Sequence, residues 1–143
     1  MSFKNVIPPE QLSNIIKPGA AGLLVMNDKQ EFLLMKRTPK AKVYPAMWSV
    51  PSGVSNVNEF ESMEDCARRE FLEETTYQIP KTIQLYLVDR YFTDDRLFFL
   101  FICRVPKRFF VKIDFEHTEV GWFTKNNLPE PITPEVLDAI NRV

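Results

Sequence analysis

The sequence contains only two cysteines among its 143 residues. Cys66 falls in a predicted helix and Cys103 in a predicted apolar strand, a placement typical of small buried hydrophobic residues. Two cysteines are too few for a disulfide framework or for a metal site built on cysteine alone. We therefore expect a fold that depends on its apolar core.

The sequence also lacks an excess of charge of either sign, with 18 Lys and Arg against 19 Asp and Glu. No global field draws such a chain to nucleic acid or to an anionic membrane, so a polyanion must be bound locally. No apolar run reaches the length of a membrane span, and MSFKNVIPPEQ lacks the apolar stretch of a secretory signal. We expect a cytoplasmic protein without a membrane partner, and the sequence carries no strong signal for nucleic-acid binding.

The apolar content of 45% and the aromatic content of 13% are enough for one globular domain with a substantial core. The predicted strands are GAAGLLVMN, EFLLMKR, MWSVP, TIQLYLVDRYF, RLFFLFICRV and EVGWF. One helix is predicted over residues 62–75, and a second follows Thr133 as N-cap with Pro134 at its first position. We predict an α/β domain over residues 18–143, preceded by an N-terminal arm over residues 1–17.

The segment ARREFLEETTY places Glu70, Glu73 and Glu74 along one side of the first helix, where they continue the apolar stripe that should face the sheet. Each like-charge pair at this spacing costs roughly 0.2 to 0.5 kcal/mol, and the C-terminal end of a helix disfavours negative charge. Arg69 can pair with Glu73 but cannot neutralise all three. A divalent cation would relieve these costs, and Mg²⁺ is the usual one where carboxylates leave positions for water and phosphate. A solvated acidic face is the alternative.

These glutamates stand in a longer pattern that resembles the Nudix hydrolase box. RREFLEETTY supplies its Arg-Glu, Glu-Glu and apolar positions, and Glu61 lies at the matching distance before Arg69. MWSVPSG resembles the approach to the box, which makes Gly53 the box glycine. AAGLLV, FLLMKR and EHTEVGWFTKNNLP resemble the opening and closing strands of the family, so the resemblance covers about residues 18–130. It implies a Nudix-like α/β/α sandwich with a mixed β-sheet between helices.

Three positions depart from the family pattern. Seven residues, where the family has five, separate Gly53 from Glu61, which indicates a two-residue insertion; Glu59 keeps the family spacing from Gly53. Thr76 replaces a glycine at the end of the box helix. A β-branched residue adopts a left-handed helix exit poorly, so a different exit turn is expected. Ser52 replaces the first glycine of the usual pair.

The resemblance implies hydrolysis of a pyrophosphate bond in a nucleoside diphosphate linked to another group, with Mg²⁺ as cofactor and Mn²⁺ as a substitute. The implied metal ligands are Glu70, Glu73, Glu74, Glu116 and the Gly53 carbonyl. Glu73 serves as a ligand or as the catalytic base, and Arg69 orients it. Glu116 matches the additional catalytic acid that the family often takes from a late loop, and Glu119 is its competitor.

Three further residues are candidates for contact with a nucleotide-derived small-molecule substrate. Arg37 ends the second predicted strand, and its guanidinium suits bidentate phosphate contacts; a solvated arginine is the alternative. Tyr91 and Phe92 end a strand near the expected mouth of the site, where they could stack on a base or lie buried in the sheet. The single histidine, His117, fits either a general base or a hydrogen-bonded residue.

Two functions therefore fit the sequence. The first is a Mg²⁺-dependent pyrophosphohydrolase, and the second is a catalytically degenerate Nudix domain that serves as a nucleotide-binding or regulatory module. Retention of the acidic residues favours the enzyme, because degeneration would be expected to remove them first. No motif selects among ADP-ribose, dinucleoside polyphosphates, nucleoside triphosphates, nucleotide sugars and capped RNA, and the N-terminal arm could serve as a homodimer surface.

Overall fold

The structure, a computed structural model, describes residues 17–56 and 59–143. Its strands are β1 Ala20–Asn27, β2 Glu31–Arg37, β3 Trp48–Ser49, β4 Ser52–Val54, β5 Tyr86–Thr93, β6 Arg96–Val105 and β7 His117–Thr124. Its helices are α1 Met63–Thr75 and α2 Pro134–Asn141, with a short 3-10 helix at Lys125–Asn127. The arm predicted over residues 1–17 lies outside the described residues except for Lys17. In the described part of the chain, no helix is both long and apolar enough to cross a membrane.

Strand β1 lies at the centre of one seven-stranded mixed sheet. It pairs in parallel with β6 and antiparallel with β2 and β4. The sheet continues antiparallel from β2 to β3 and β7 on one side, and from β6 to β5 on the other. All eight residues of β1 are buried, as expected for a strand that is covered on both faces.

The two faces of the sheet carry separate apolar cores, because successive side chains of a strand point to opposite faces. Leu23 of β1 belongs to the core that contains Phe71 of α1. Its neighbour Leu24 belongs to the core that contains Ile140 of α2. One helix therefore packs on each face, which confirms the predicted α/β/α sandwich.

Two segments differ most from the predicted strands. The SGV segment, which is not among the predicted strands, is strand β4, because its backbone pairs with β1 and places Gly53 opposite Ala21. Strand β5 begins at Tyr86, four residues later than predicted. The residues before it turn instead, since the Ile83 N–H donates to the Pro80 carbonyl at 2.9 Å.

Helix α2 begins where its cap residues predict, and α1 begins at Met63, one residue after its predicted start. The hydroxyl of Ser62 accepts a hydrogen bond from the Asp65 N–H at 3.1 Å, which caps α1. Thr133 precedes α2, and Pro134 occupies its first position. The Thr133 hydroxyl does not cap the helix but donates to Ser49 Oγ at 3.2 Å, which ties the start of α2 to β3.

The end of α1 corrects one expectation. Thr76 has φ 63° and ψ 7°, so the helix keeps a left-handed exit even without glycine. Local hydrogen bonds hold this turn: the Thr76 N–H donates to the Leu72 carbonyl at 2.9 Å. The Thr75 hydroxyl donates to the Phe71 carbonyl at 2.7 Å and accepts from the Tyr77 N–H at 3.1 Å. These bonds offset the strain that a β-branched side chain incurs there.

Candidate active site

The three glutamates of α1 differ in exposure because the helix lies on the sheet by one face. Glu74 is buried, with 4% of its surface exposed. The side chain of Glu70 is 14% exposed, and that of Glu73 is 53% exposed. The buried stripe of α1 therefore continues into Glu70 and Glu74, whereas Glu73 lies at the rim.

Burial and the proximity of other carboxyl groups change the pKa values of Glu70 and Glu74. Burial, followed by the adjacent Glu70 carboxyl group, raises the pKa of Glu74 well above its usual range. Glu116 and Asp114 add to that rise through their negative charge. Burial also raises the pKa of Glu70, while its contacts with Glu74 and Arg69 act in the opposite direction. A divalent cation would offset these costs, so the cluster suits a metal ion.

Strand β4 passes directly beside the cluster at Gly53. A Cβ atom at this position would overlap the Glu70 carboxyl group, so the close approach requires glycine. The requirement is steric, because Gly53 does not have a positive φ. Its carbonyl accepts a weak hydrogen bond from the Cys66 thiol at 3.5 Å and thus faces α1. The predicted box glycine and the predicted box glutamate therefore lie in contact.

Arg69 connects the acidic residues around the start and the middle of α1. Its Nε and Nη2 bind Glu61 at 2.7 and 3.0 Å, which is a bidentate pair. Its Nη1 donates to Glu70 at 2.8 Å and to Glu73 at 3.1 Å, and Nη2 donates to the Val54 carbonyl at 3.0 Å. Protein groups thus engage the guanidinium on every side, as expected of an orienting residue.

The pairing of Arg69 with Glu61 was missed from the sequence. Helical periodicity places Glu61 on the polar side of α1, opposite the three glutamates. The residue precedes α1, however, so helical periodicity does not apply to it. The Arg69 guanidinium lowers the pKa of Glu61. The signal available in the sequence was the spacing of eight residues between Glu61 and Arg69 in the box pattern. The contact between these two side chains supports Glu61 over Glu59 as the box residue.

A cavity of about 230 Å³ adjoins β4. Arg37, Gly53 and Glu116 all line it, so the structure brings these three predicted site residues together. The Arg37 Nε donates to the Val43 carbonyl at 2.9 Å, which fixes the arginine side chain at the cavity wall. The cavity therefore offers charged side chains of both signs next to the box, among them Arg37 and Glu116.

The two candidates for the late acid lie in different surroundings. Glu116 lines the cavity with Gly53 and acts electrostatically on Glu74. Glu119 lies opposite Lys36 on the neighbouring strand and pairs with its Nζ at 3.4 Å. This placement favours Glu116.

Tyr91 and Phe92 are not among the residues that line the cavity. Tyr91 is 8% exposed in the core beneath α2, and its hydroxyl donates to Asp138 Oδ2 at 2.7 Å. Phe92 points to the other face of the sheet, and the cavity is lined by the next residue of β5, Thr93. This placement does not support a base-stacking role for either ring and, for Tyr91, favours the alternative of burial in the sheet.

A buried histidine and carboxylate pair lies beside Glu74. The side chain of His117 is 1% exposed, its Nδ1 lies 2.7 Å from Asp114 Oδ1, and its Nε2 lies 3.5 Å from Glu74 Oε1. Asp114 was missed from the sequence. The separation of three residues between Asp114 and His117 was the available signal, whereas their contact with Glu74 arises from the tertiary fold.

The connection between β6 and β7 brings this pair to α1. The ring of Phe109 stacks on Tyr77 with 3.7 Å between centroids and meets Trp122 edge-on at 5.1 Å. The Lys112 N–H donates to the Thr75 carbonyl at 3.1 Å. These contacts fix the connection against the C-terminal end of α1, where the buried glutamate lies.

Comparisons with known proteins agree with this geometry. A sequence model of the NUDIX domain matches residues 16–142. A Bacillus subtilis protein named "Putative 8-oxo-dGTP diphosphatase" is 37% identical over 81 residues, which are 55% of this chain and 50% of that protein, so the match spans half of the relative's length. The MutT NUDIX hydrolase from Burkholderia pseudomallei has a TM-score of 0.70 at 21% identity, covering 88% of this chain and 97% of that chain. The NUDIX domain of Shewanella oneidensis NrtR, complexed with ADP ribose, also has a TM-score of 0.70, at 14% identity over 99% and 96% of the two chains.

Proposed function

The chain belongs to the NUDIX domain family, and we propose that it hydrolyses a pyrophosphate bond in a nucleoside diphosphate linked to another group. The observation that carries the proposal is the contact of Glu70 with Gly53, next to a cavity that Gly53 and Glu116 line. Glu73 and Glu74 lie close enough to Glu70 to act on its ionisation. The name of the Bacillus subtilis relative and the ADP ribose bound to the NrtR domain support nucleotide derivatives as the substrate class.

The donor set fits Mg²⁺, with Mn²⁺ as a substitute. All of its members are carboxylate or carbonyl oxygens, which Mg²⁺ prefers, and Glu74 Oε2 is buried without a hydrogen-bond partner among the described residues. The residues proposed to hold the ion are Glu70, Glu73, Glu74, Glu116 and the Gly53 carbonyl. When bound, the ion would neutralise phosphate charge and acidify the attacking water.

Glu73 is the proposed catalytic base. It is the most exposed of the three box glutamates, so it can reach a water molecule beside a bound phosphate. Arg69 Nη1 holds its Oε1 at 3.1 Å and thereby fixes its direction. Arg69 is accordingly a positioning residue, and Glu116 contributes a second carboxylate from the cavity wall.

Arg37 is the proposed phosphate ligand. It lines the same cavity as Gly53, and its Nε bond to Val43 holds the planar guanidinium in place before substrate arrives. A phosphate group bound there would lie between this cation and the box carboxylates. Binding energy of the diphosphate could then align the scissile bond for attack by water.

The test is hydrolysis of a substrate panel with Mg²⁺ in ¹⁸O-labelled water. The panel contains ADP-ribose, a dinucleoside polyphosphate, nucleoside triphosphates including 8-oxo-dGTP, a nucleotide sugar and capped RNA. We expect cleavage at one pyrophosphate bond, abolished by a chelator, with the label in the product whose phosphorus water attacks. Mass spectrometry identifies both the substrate and the attacked phosphorus.

Two variants and a matched control complete this test. Glu70→Gln and Glu73→Gln should each lower kcat by about 100-fold or more, because they remove a ligand or the base. Glu64→Gln changes an exposed glutamate on the first turn of the same helix and should keep the wild-type rate. If no substrate is cleaved although Mg²⁺ binds, the enzyme proposal is wrong and a nucleotide-binding module takes its place.

A further inference from the structure

Two buried polar atoms beside α1 have no hydrogen-bond partner among the described residues: His117 Nε2 and Glu74 Oε2. Their side chains are 1% and 5% exposed, so bulk water does not reach them freely. Native proteins rarely leave such groups unsatisfied, and a bound ion is one of the usual reasons when they do. The pair therefore points to a ligand between or beside these two side chains.

The imidazole of His117 is oriented as in a metal site. The Asp114 carboxylate can only accept a hydrogen bond, so at 2.7 Å the Nδ1 of His117 donates to it and Nε2 presents its lone pair. Asp114 is itself held, because its Oδ1 also accepts from the Glu116 N–H at 3.2 Å. A carboxylate behind the ring is the arrangement that commonly fixes the tautomer of a metal-binding histidine.

The distance between the two facing side chains also fits a shared ion. His117 Nε2 lies 3.5 Å from Glu74 Oε1, which is longer than the common N–H···O distance of about 2.9 Å. Two ligands bound at about 2.0 to 2.2 Å in tetrahedral geometry lie roughly 3.4 Å apart. One ligand atom from each of Glu74, Asp114 and His117 lies within 4.8 Å of the others. Glu74 and His117 therefore need little rearrangement to bind one ion while Asp114 keeps its hydrogen bond to the imidazole.

The surroundings supply negative charge for a dication. Glu70, Glu116 and Asp114 all act electrostatically on Glu74. The histidine adds a nitrogen donor, and imidazole suits Zn²⁺ and its transition-metal neighbours, whereas Mg²⁺ prefers oxygen. This donor set differs from the all-oxygen set proposed above, although the two share Glu74.

We propose that Glu74 and His117 bind a transition-metal dication such as Zn²⁺ or Co²⁺, with Asp114 as the residue that orients the imidazole. The site adjoins the box carboxylates from the side of the β6–β7 connection. It gives the protein a means to distinguish transition metals from Mg²⁺. Its existence does not depend on hydrolysis of any nucleotide.

The first experiment is a titration of the untagged full chain with Co²⁺ and Zn²⁺ in the absence of substrate. The chain has one histidine, so ¹⁵N-histidine labelling gives a single pair of ring signals. We expect Co²⁺ to broaden and Zn²⁺ to shift those signals strongly, while Mg²⁺, which prefers oxygen ligands, causes a smaller shift through Glu74. Ring signals that do not respond to Zn²⁺ would overturn the proposal without the need for any variant.

Variants then identify the ligands by calorimetry. His117→Gln should weaken Zn²⁺ binding by about 100-fold, and Asp114→Asn by about 10-fold, because the first removes a ligand and the second its orientation. Glu119→Gln changes an exposed acid on the same strand and should leave the Zn²⁺ affinity at its wild-type value. Circular dichroism verifies the fold of each variant.

The outcomes separate this site from the proposed hydrolysis. Equal Zn²⁺ affinity in the wild type and in a folded His117→Gln variant would mean that the histidine is not a ligand and pairs directly with Glu74 instead. The binding readouts contain no substrate, so a protein that is inactive on every nucleotide can still show the site. An active protein can equally fail to show it.

Discussion

Thr76 ends α1 with φ 63°, where the Cβ of an L-residue crowds the backbone. Thr76→Gly should remove that strain, and part of the gain is offset by the greater freedom of glycine in the unfolded chain. We expect the free energy of unfolding to rise by about 1 kcal/mol. Urea denaturation followed by circular dichroism measures the change.

The matched control is Thr76→Ala, which shortens the side chain but keeps the Cβ atom that causes the crowding. It should recover less than half of the gain seen with glycine. Equal stability of the glycine variant and the wild type would show that the hydrogen bonds around the Thr75 hydroxyl already remove the strain.

For individual residues, the sequence predicts contacts within one helix better than contacts between elements that are distant in the chain. The pairing of Arg69 with Glu73 follows from their separation of four residues and is present at 3.1 Å. The contacts of Glu74 with His117 and Asp114 depend on where the β6–β7 connection lies against α1. No spacing in the chain contains that information, so this part of the candidate site required the structure.

The connection between β6 and β7 is held in part by the ring of Phe109, which contacts Tyr77 and Trp122. Phe109→Ala removes the stack on Tyr77 and the edge contact with Trp122, which should lower the free energy of unfolding by about 2 kcal/mol. The connection also carries Glu116, so kcat for the metal-dependent reaction should fall as well. Urea denaturation and steady-state kinetics measure the two effects.

Phe110 supplies the control for this change, because it is the next residue and is 82% exposed. Phe110→Ala should alter neither stability nor kcat. If Phe109→Ala behaves like the control, the aromatic contacts do not hold the connection, and the backbone bond from Lys112 to Thr75 must suffice.

The start of β2 carries an ion pair with a defined pH dependence. Hydrogen bonds from Arg108 and then from Asn27 lower the pKa of Glu31 from 4.5 to about 2. Since the folded pKa lies below the unfolded value, the pair stabilises the protein above about pH 4.5, and the effect is lost as the pH falls toward 2. Glu31→Gln should therefore flatten the pH dependence of stability within that window, which urea midpoints at several pH values measure.

Asp28→Asn is the control for this change, because it removes an exposed carboxylate from the turn just before β2. It should keep the wild-type slope between pH 4.5 and 2. An unchanged slope in Glu31→Gln would mean that Arg108 does not hold Glu31 in solution.

At the level of elements, long apolar runs were predictable and short polar ones were not. Strand β1 is buried throughout, and β6 is a long run of apolar and aromatic residues that are mostly buried or half-buried, so both were recognisable as strands. Strand β4 has the sequence SGV, which has weak strand propensity, and it is extended because β1 offers it hydrogen bonds. The start of β5 was predicted too early because a turn at Pro80 competes with an apolar pattern.

For the molecule as a whole, metal binding should raise the free energy of unfolding. An ion that binds the folded chain alone stabilises it by about 2.7 kcal/mol at 100 times its dissociation constant. We expect Mg²⁺ to raise the melting temperature relative to a chelator, and Glu70→Gln to lose most of that rise. Differential scanning calorimetry measures both, with Glu64→Gln as the variant that keeps it. A rise of equal size in Glu70→Gln would mean that the ion binds elsewhere.

The parallel pairing of β1 with β6 also dictates when the protein can fold during its synthesis. Ala20 lies opposite Phe98, and Asn27 lies opposite Val105. The central strand therefore cannot pair with β6 until residues 98–105 have been translated. Until then the edge of β1 that β6 will cover stays open, and the apolar residues on its two faces lack part of their cover. Closing such a distant contact is entropically costly and therefore slow. A nascent chain that stalls before residue 105 thus presents an unpaired apolar strand, which is a substrate for chaperones and a seed for aggregation.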